Sequence, residues 1–336
     1  MELYKKINLL LCLTMTLSLP VAYGASEVQM PKHLVFASDP QYPWTDLTDR
    51  GISDPDKEKR SKELIETQYS DIANFRKLNG GASRIPVMIN GDMTAFGHRG
   101  ERSTVKSILN QYLKDDYDYG LGNHDYENNI DDCWAPENNC AAGSITELKE
   151  KYWGKVSSFD FAARSEGGAK IYYGSLAYSR SFGDVHLVQL NNEPTYSVNF
   201  SSGFFNTENY EINDALDWLE RDLRQARAQG KIILLNMHKP DEWKGSAEQI
   251  ERFKKMIERY EVTAVFAGHM HSRPGKYTRW NTRQYFGEVP VFLSGSSSHQ
   301  TYLIASFAPD RKTLTVHQVN GNNWPSRKVV DVVVVR

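Results

Sequence analysis

Asp39, Asp92, Asn123, His238, His269 and His271 are the side chains of this sequence best suited to hold metal ions. They fall in five short segments: Ser38-Asp39-Pro40-Gln41, Gly91-Asp92, Gly122-Asn123-His124-Asp125, Met237-His238 and Gly268-His269-Met270-His271. Each follows an apolar run, as expected of a strand that stops at a functional rim. A sixth segment, Ser294-Gly295-Ser296, is expected to wall the same site. The aspartates offer hard oxygens, the histidines offer imidazole nitrogens, and Asn123 and Gln41 offer neutral amide oxygens. A mixed nitrogen and oxygen set suits Zn, Mn or Fe better than Ca. One carboxylate can bridge two metals, and two close cations can activate water and hold a phosphoryl group together. Glycines beside Asp92, Asn123 and His269 are expected to let the backbone turn sharply. Gly268 to His271 is read as extended chain that presents both imidazoles to one side. Any one segment alone reads equally well as a surface loop; five in series, each after an apolar run, point to one dinuclear centre.

The elements that must position these residues are legible as alternating strands and helices. Strand-like runs His33–Ala37, Pro86–Ile89, Tyr117–Leu121, Val185–Leu190, Ile232–Leu235 and Thr263–Phe266 lead to or lie beside the segments. Between them, Leu64, Ile65, Tyr69, Ile72 and Phe75 recur at helical spacing, and a second helix is expected near Ser103–Leu113. Ile212, Leu216, Leu219, Leu223 and Ala226 form another stripe, stopped by Gly230. Ser246 and Gln249 make a capping box ahead of a helix with Ile250, Phe253, Ile257 and Tyr260 inside. The alternation implies an α/β fold. The strand-rich tail after Val289 implies a second sheet, and one domain is expected over 30–336, with an irregular insertion around 126–180.

Bulk composition sets the outer bounds. The chain has 336 residues, 40% hydrophobic and 24% charged, as in an ordinary soluble globular protein. A formal charge of −2 argues against a general nucleic-acid binder. Residues 1–24 read as an export signal: Lys5 and Lys6, an apolar core Ile7–Leu19, and small residues Ala22-Tyr23-Gly24 before a cut at Ala25. That core is too short and too interrupted to span a membrane, so the mature chain is expected to be secreted or periplasmic, mildly acidic, and without a transmembrane segment. Cys12 would leave with the signal. The remaining pair, Cys133 and Cys140, most simply forms a disulfide in an oxidising compartment.

The pattern Asp39-x-Gln41, Gly91-Asp92, Gly122-Asn123-His124-Asp125, His238, Gly268-His269-x-His271 resembles the calcineurin-like metallophosphoesterases over most of the mature chain. The resemblance implies a four-layer α/β/β/α sandwich of two mixed β-sheets, with two divalent or trivalent metal ions at the strand ends. By matching position, Asp39, Gln41 and His271 would serve the first metal. Asn123, His238 and His269 would serve the second, and Asp92 would bridge. Asn123 and His124 would contact substrate. His124 would stand near the leaving group, held by Asp125. The implied activity is hydrolysis of a phosphomonoester or phosphodiester by attack of metal-held hydroxide on phosphorus. The departure is Gln41, where the family usually has histidine; an alternative is a degenerate protein that binds a phosphate or phospholipid head group without turnover. A tyrosine ligand like that of the purple acid phosphatases is not expected, because Ala95 stands at its position.

Several residues carry no assignment from sequence. His98, Arg99 and His299 read more simply as loop residues, and His33, His186 and His317 as structural. Tyr42, Trp44, Trp134 and Trp153 lie in or near loops and could pack there, stack a base or lean on lipid.

Overall fold

The computed structural model describes residues 30–134, 136–156, 158–204 and 207–336; the expected export signal lies outside the described residues. The strand His33–Ala37 shows how the layers arise. Its side chains alternate by pleat. Leu34 and Phe36 enter an apolar layer shared with Leu187, Leu234 and Phe266 of the opposite sheet, while Val35 and Ala37 face Ile65, Tyr69 and Ile72 of the helix Lys57–Leu78. All five residues of this strand are buried, so both faces are covered.

Two large mixed sheets pack through that layer. One has six strands in the order Lys328–Val334, Thr313–Asn320, Thr301–Phe307, His33–Ala37, Val87–Ile89, Asp118–Tyr119. The other has seven, with Val185–Gln189, Ile232–Asn236, Ala264–Ala267 and Val291–Leu293 running parallel at its centre. Helices Lys57–Leu78 and Arg99–Leu113 cover the first sheet. Helices Leu216–Ala228, Ala247–Arg259 and Thr282–Phe286 cover the second. This is the four-layer α/β/β/α sandwich. Among the described residues no helix is long and apolar enough to cross a membrane.

The expectation of an irregular insertion at 126–180 is corrected, except that Lys170–Tyr173 is strand-like in the sequence and lies in a strand. That stretch contains the helix Asn139–Tyr152 and strands Ser158–Phe159, Ala162–Glu166, Ala169–Gly174 and Tyr178–Phe182. Ala141, Ile145, Leu148 and Tyr152 lie three or four apart and are buried, which gives the helix its inner face. Ala162–Glu166 and Ala169–Gly174 join Val198–Ser202 and Glu208–Ile212 in a third, four-stranded sheet. Ile212, read from the sequence as the start of a helical stripe, instead ends that last strand, and the helix begins at Leu216, whose N–H donates to Asp214 Oδ1 at 3.0 Å. The capping box forms: Ser246 N–H donates to Gln249 Oε1 at 2.9 Å, and Gln249 N–H donates to Ser246 Oγ at 3.3 Å. Cys133 and Cys140 are disulfide-bonded, which ties the loop after the Asn123 segment to the start of the helix Asn139–Tyr152.

The inter-sheet layer rests on aromatic contact. Phe36 and Phe266 stack across the seam with centroids 3.6 Å apart, and Phe266 meets Phe292 at 5.6 Å. Both Phe36 and Phe266 are fully buried, so truncation leaves a cavity that neighbouring strands cannot fill. Phe36→Ala is expected to cost about 3–5 kcal/mol of unfolding free energy in urea. Val329→Ala, at a position 60% exposed, should stay within about 0.5 kcal/mol.

Candidate metal centre

The parallel strands of both sheets point their carboxyl ends to one seam, the usual place for a site in an open α/β sheet. Asp39 follows His33–Ala37, and Asp92 follows Val87–Ile89. Asn123 follows Asp118–Tyr119, His238 follows Ile232–Asn236, and His269 follows Ala264–Ala267. Backbone bonds stitch the ends together: Asp39 N–H donates to Gly91 O at 3.1 Å, Gln41 N–H to Asp92 O at 3.0 Å, and Gly268 N–H to His238 O at 2.9 Å. The second sheet is locked to the first by His269 N–H donating to Asp39 Oδ2 at 3.1 Å.

The backbone is strained where the donors sit. Asp39, Gln41, Asp92 and His269 all have positive φ, of 51°, 39°, 47° and 70°. Non-glycine residues seldom adopt this region, and such strain concentrates at functional sites. Gly91, beside Asp92, turns as the sequence expects, at φ 86°, but the other two glycines act differently. Gly122 and Gly268 are not at positive φ; they are needed for close approach. A Cβ at Gly122 would overlap Asp92 Oδ1, and one at Gly268 would overlap Ser38 Oγ. Gly268–His271 is likewise not an extended segment. The left-handed bend at His269 sends the two imidazoles into different donor groups.

Those groups are Asp92, His238 and His269, and Asp39, Asp92 and His271, with ligand atoms within 4.8 Å of one another in each. Asp92 belongs to both. Gln41 Oε1, Asn123 Oδ1, Asp92 Oδ2 and His238 Nε2 are buried and make no hydrogen bond. His238 Nε2 and Asp92 Oδ2 lie 3.0 Å apart without hydrogen-bond geometry between them. Orphaned buried donor atoms of this kind are costly unless a ligand satisfies them, and nitrogen and oxygen atoms converging in two groups are a fit for two cations. A third cluster, His98 with Cys133 and Cys140, offers no thiolate because the cysteines are joined to each other.

The second ring of contacts fixes the imidazoles. His238 Nδ1 lies 2.8 Å from Asn90 O, and a carbonyl only accepts, so Nδ1 carries the proton and Nε2 is the ligand atom. His271 Nδ1 lies 3.0 Å from Asp49 Oδ1, with Nε2 3.0 Å from Asp39 Oδ1. Asp49 also accepts from Ser298 Oγ at 2.7 Å and sits 3.3 Å from His299 Nδ1. Carboxylate–histidine pairs of this type orient a ligand and raise its basicity. Burial disfavours charge throughout, but the carboxylates prevail: Asp92 and Asp39 raise the pKa of His238, and Asp39 and Asp49 raise that of His271 well above its ordinary value. His269 goes the other way, lowered to about 4 by burial and by His238. The same field that favours imidazolium at His238 and His271 favours a bound cation.

His124 and Asp125 do not pair as the sequence reading expects. Asp125 accepts from Gly122 N–H at 2.9 Å, Met93 N–H at 3.0 Å and both N–H and Oγ1 of Thr94 at 3.2 Å. It braces the Asp92 loop against the Asn123 loop, while burial and the neighbouring Asp92 push its pKa upward. His124 is instead oriented by Ala95 O, 2.8 Å from its Nδ1, and by the edge of Trp44 at 5.0 Å. Its own N–H donates to Asp92 Oδ1 at 2.9 Å. Trp44 also reaches His271 at 6.0 Å, so this tryptophan, unassigned from sequence, lines the space between the two histidines. The Ser294 segment does wall the centre: Ser297 N–H donates to Asp39 O at 3.1 Å, and Ser294 Oγ accepts from Asn90 Nδ2 at 3.4 Å. His98 sits away from this network, paired with Glu101 at the start of the helix Arg99–Leu113. Asp49 and Asn90 are the residues sequence reasoning missed. No local pattern marks either one, since their partners are 222 and 148 positions away in the chain.

Asp49→Ala should weaken metal retention by roughly 10- to 100-fold, read by calorimetric titration of the metal-stripped chain, with little change in folding. Asp125→Ala should do the reverse. It strands three buried backbone N–H groups and is expected to destabilise the fold by about 3 kcal/mol or more in urea.

Comparison with known proteins agrees with this geometry. Residues 33–273 match the family model "Calcineurin-like phosphoesterase". No curated protein matches the chain. Among solved structures, purple acid phosphatase PPD1 from yellow lupin shares the fold at TM-score 0.51 and 11% identity, covering 90% of this chain and 53% of its own. The sulfate thiohydrolase SoxB of Thermus thermophilus aligns at TM-score 0.46 and 13% identity, covering 89% and 58%. This chain thus spans little more than half the length of either. With the family match running from the first strand through both histidines of the Gly268–His271 bend, the chain belongs to the calcineurin-like phosphoesterase family.

Proposed function

We propose that this chain is an exported phosphoesterase that uses two metal ions, of the Mn, Zn or Fe type, to hydrolyse a phosphomonoester or phosphodiester. The observation that carries the reading is the sharing of Asp92 between two buried donor groups that both contain atoms without partners. Cations held there supply Lewis-acid stabilisation of phosphoryl charge and a nucleophile at neutral pH. Asp39, Gln41, Asp92 and His271 would hold one, and Asp92, Asn123, His238 and His269 the other. Export is supported by the basic and apolar leader together with the Cys133–Cys140 disulfide, which suits an oxidising compartment.

The chain's own contribution to the reaction is orientation and proton delivery. The Asn123 amide and the His124 ring stand side by side at the seam, fixed by the bend that Asp125 braces. With Nδ1–H committed to Ala95 O, Nε2 of His124 is the atom left to face the departing oxygen, and the ring gives it a proton from the imidazolium form. Trp44 packs against the same ring and excludes water from one side. Asn123 Oδ1 would hold a cation, leaving its amide N–H for a phosphoryl oxygen.

The deciding experiment is hydrolysis of p-nitrophenyl phosphate and bis(p-nitrophenyl) phosphate by the mature chain, first chelated and then resupplied with Mn, Zn, Fe or Mg. Turnover should vanish on chelation and return with metal, and the ratio of the two rates assigns the monoester or diester class. Two bound ions with no turnover on either ester would instead support the head-group-binding alternative. His124→Ala should lower kcat by roughly a hundredfold or more on an ester with a poor leaving group, at unchanged metal content. Unchanged turnover would remove His124 from the proton-donating role.

A further inference from the structure

Beside the first donor group opens a cleft of about 480 Å³ whose walls include His269, His271 and Trp44. Its outer wall carries three guanidinium groups, Arg50, Arg273 and Arg279, with His299. Asp49 lines the cleft as well, and Asp46 and Asp241 stand beside two of its arginines. Asp49 is bound to His271, Ser298 and His299. Asp46 is shared by Arg50 and Arg60, at 3.2 and 3.0 Å. Asp241 accepts from Tyr277 and Asn281, and Arg279 reaches it only at 3.5 Å. Arg273 has no carboxylate within 4 Å among the described residues. The cleft is therefore basic in a chain whose formal charge is −2, and it runs directly from two metal-site histidines.

We infer that this cleft is a second anion subsite, and that the substrate carries a further phosphate or comparable dianion beyond the phosphoryl group that is cut. The inference rests on the phosphoesterase reading for the position of the first phosphoryl group. Guanidinium forks suit phosphate oxygens because two parallel N–H donors match two oxygens. Arg273 is free to make such a pair at once, and Arg279 can leave its long contact with Asp241 to make another. Trp44, between His124 and His271, supplies a flat apolar wall for the carbon skeleton that joins the two anions. A neutral or singly charged ester would leave Arg273 without an anionic partner, so the wall discriminates by charge count.

The test is calorimetric titration of the metal-loaded mature chain with propylphosphonate and with propane-1,3-diphosphonate. The diphosphonate should bind about tenfold tighter or more, as expected for charge-assisted hydrogen bonds to a second anion. In the Arg273→Gln/Arg279→Gln variant that preference should fall close to one. Arg50→Gln, on a separate loop, should reduce it in part. Equal affinity for the two phosphonates in the wild-type chain would overturn the inference, as would a preference that survives the double variant. Turnover of p-nitrophenyl phosphate separates the two levels. Turnover without diphosphonate preference removes only the second subsite; preference without turnover of either nitrophenyl ester or of propane-1,3-diyl bisphosphate keeps the subsite and removes the hydrolase reading.

Discussion

Burying Asp39, Asp92, His238 and His271 together at the seam of two sheets is the constraint from which the rest of this structure follows. Isolated charges in such a place would be prohibitive. The fold meets the cost with a closed set of partners. Asn90 O takes the outer proton of His238, Asp49 Oδ1 stands 3.0 Å from His271 Nδ1 as an ion pair, and the backbone N–H groups of His124 and His269 fall on Asp92 and Asp39. What remains unsatisfied is inward-facing: Gln41, Asn123, Asp92 Oδ2 and His238 Nε2. The backbone-facing atoms of His238 and the aspartates have partners, while the inner atoms do not.

Close approach of the loops is the second requirement. The carboxyl ends of strands from two separate sheets must meet within bonding distance, and the Cβ atoms that Gly122 and Gly268 lack would have filled that space. Asp125 then fastens the junction. Its carboxylate collects N–H groups from Met93, Thr94 and Gly122, so the loop bearing Asp92 and the loop bearing Asn123 and His124 behave as one rigid piece. Asp125 therefore acts on His124 through the backbone, while the ring itself answers to Ala95 O and Trp44. A histidine held by a carbonyl keeps its tautomer without the extra negative charge that a carboxylate partner would add beside Asp92.

The donor segments were legible in the sequence because each is a local event: an apolar run, then a residue with metal-binding chemistry, then a turn. The α/β layering was legible for the same reason, through the helical stripes ahead of Phe75, Ala226 and Tyr260. Features set by distant pairing were not. Asp49 looks like any loop aspartate until His271 is brought to it across the sheet seam. The third sheet escaped notice because Ala162–Glu166 is mostly exposed and polar, so it lacks the apolar alternation that marks a strand. The pairing of Asp125 with His124 came from the family resemblance, whereas its acceptors are filled by Gly122 and by Met93 and Thr94 some thirty positions earlier.

Gln41 is where this chain departs from the usual family pattern, and the geometry gives the departure a physical meaning. Its backbone is held at φ 39° by the bond from its N–H to Asp92 O, so the side chain is carried to the seam whatever its identity. Both amide atoms are buried and unpartnered. An imidazole at this place would add one strong donor that must lose its proton before binding a metal. An amide has no proton to lose, so occupancy on this side of Asp92 is freed from one source of pH competition, at the expense of donor strength. It also brings an N–H that no neutral imidazole ligand could spare on the same face. That second atom faces the same buried seam, and the basic cleft opens from His271 on this side. A cation bound on this side would therefore meet a weaker but proton-free donor rather than a missing one.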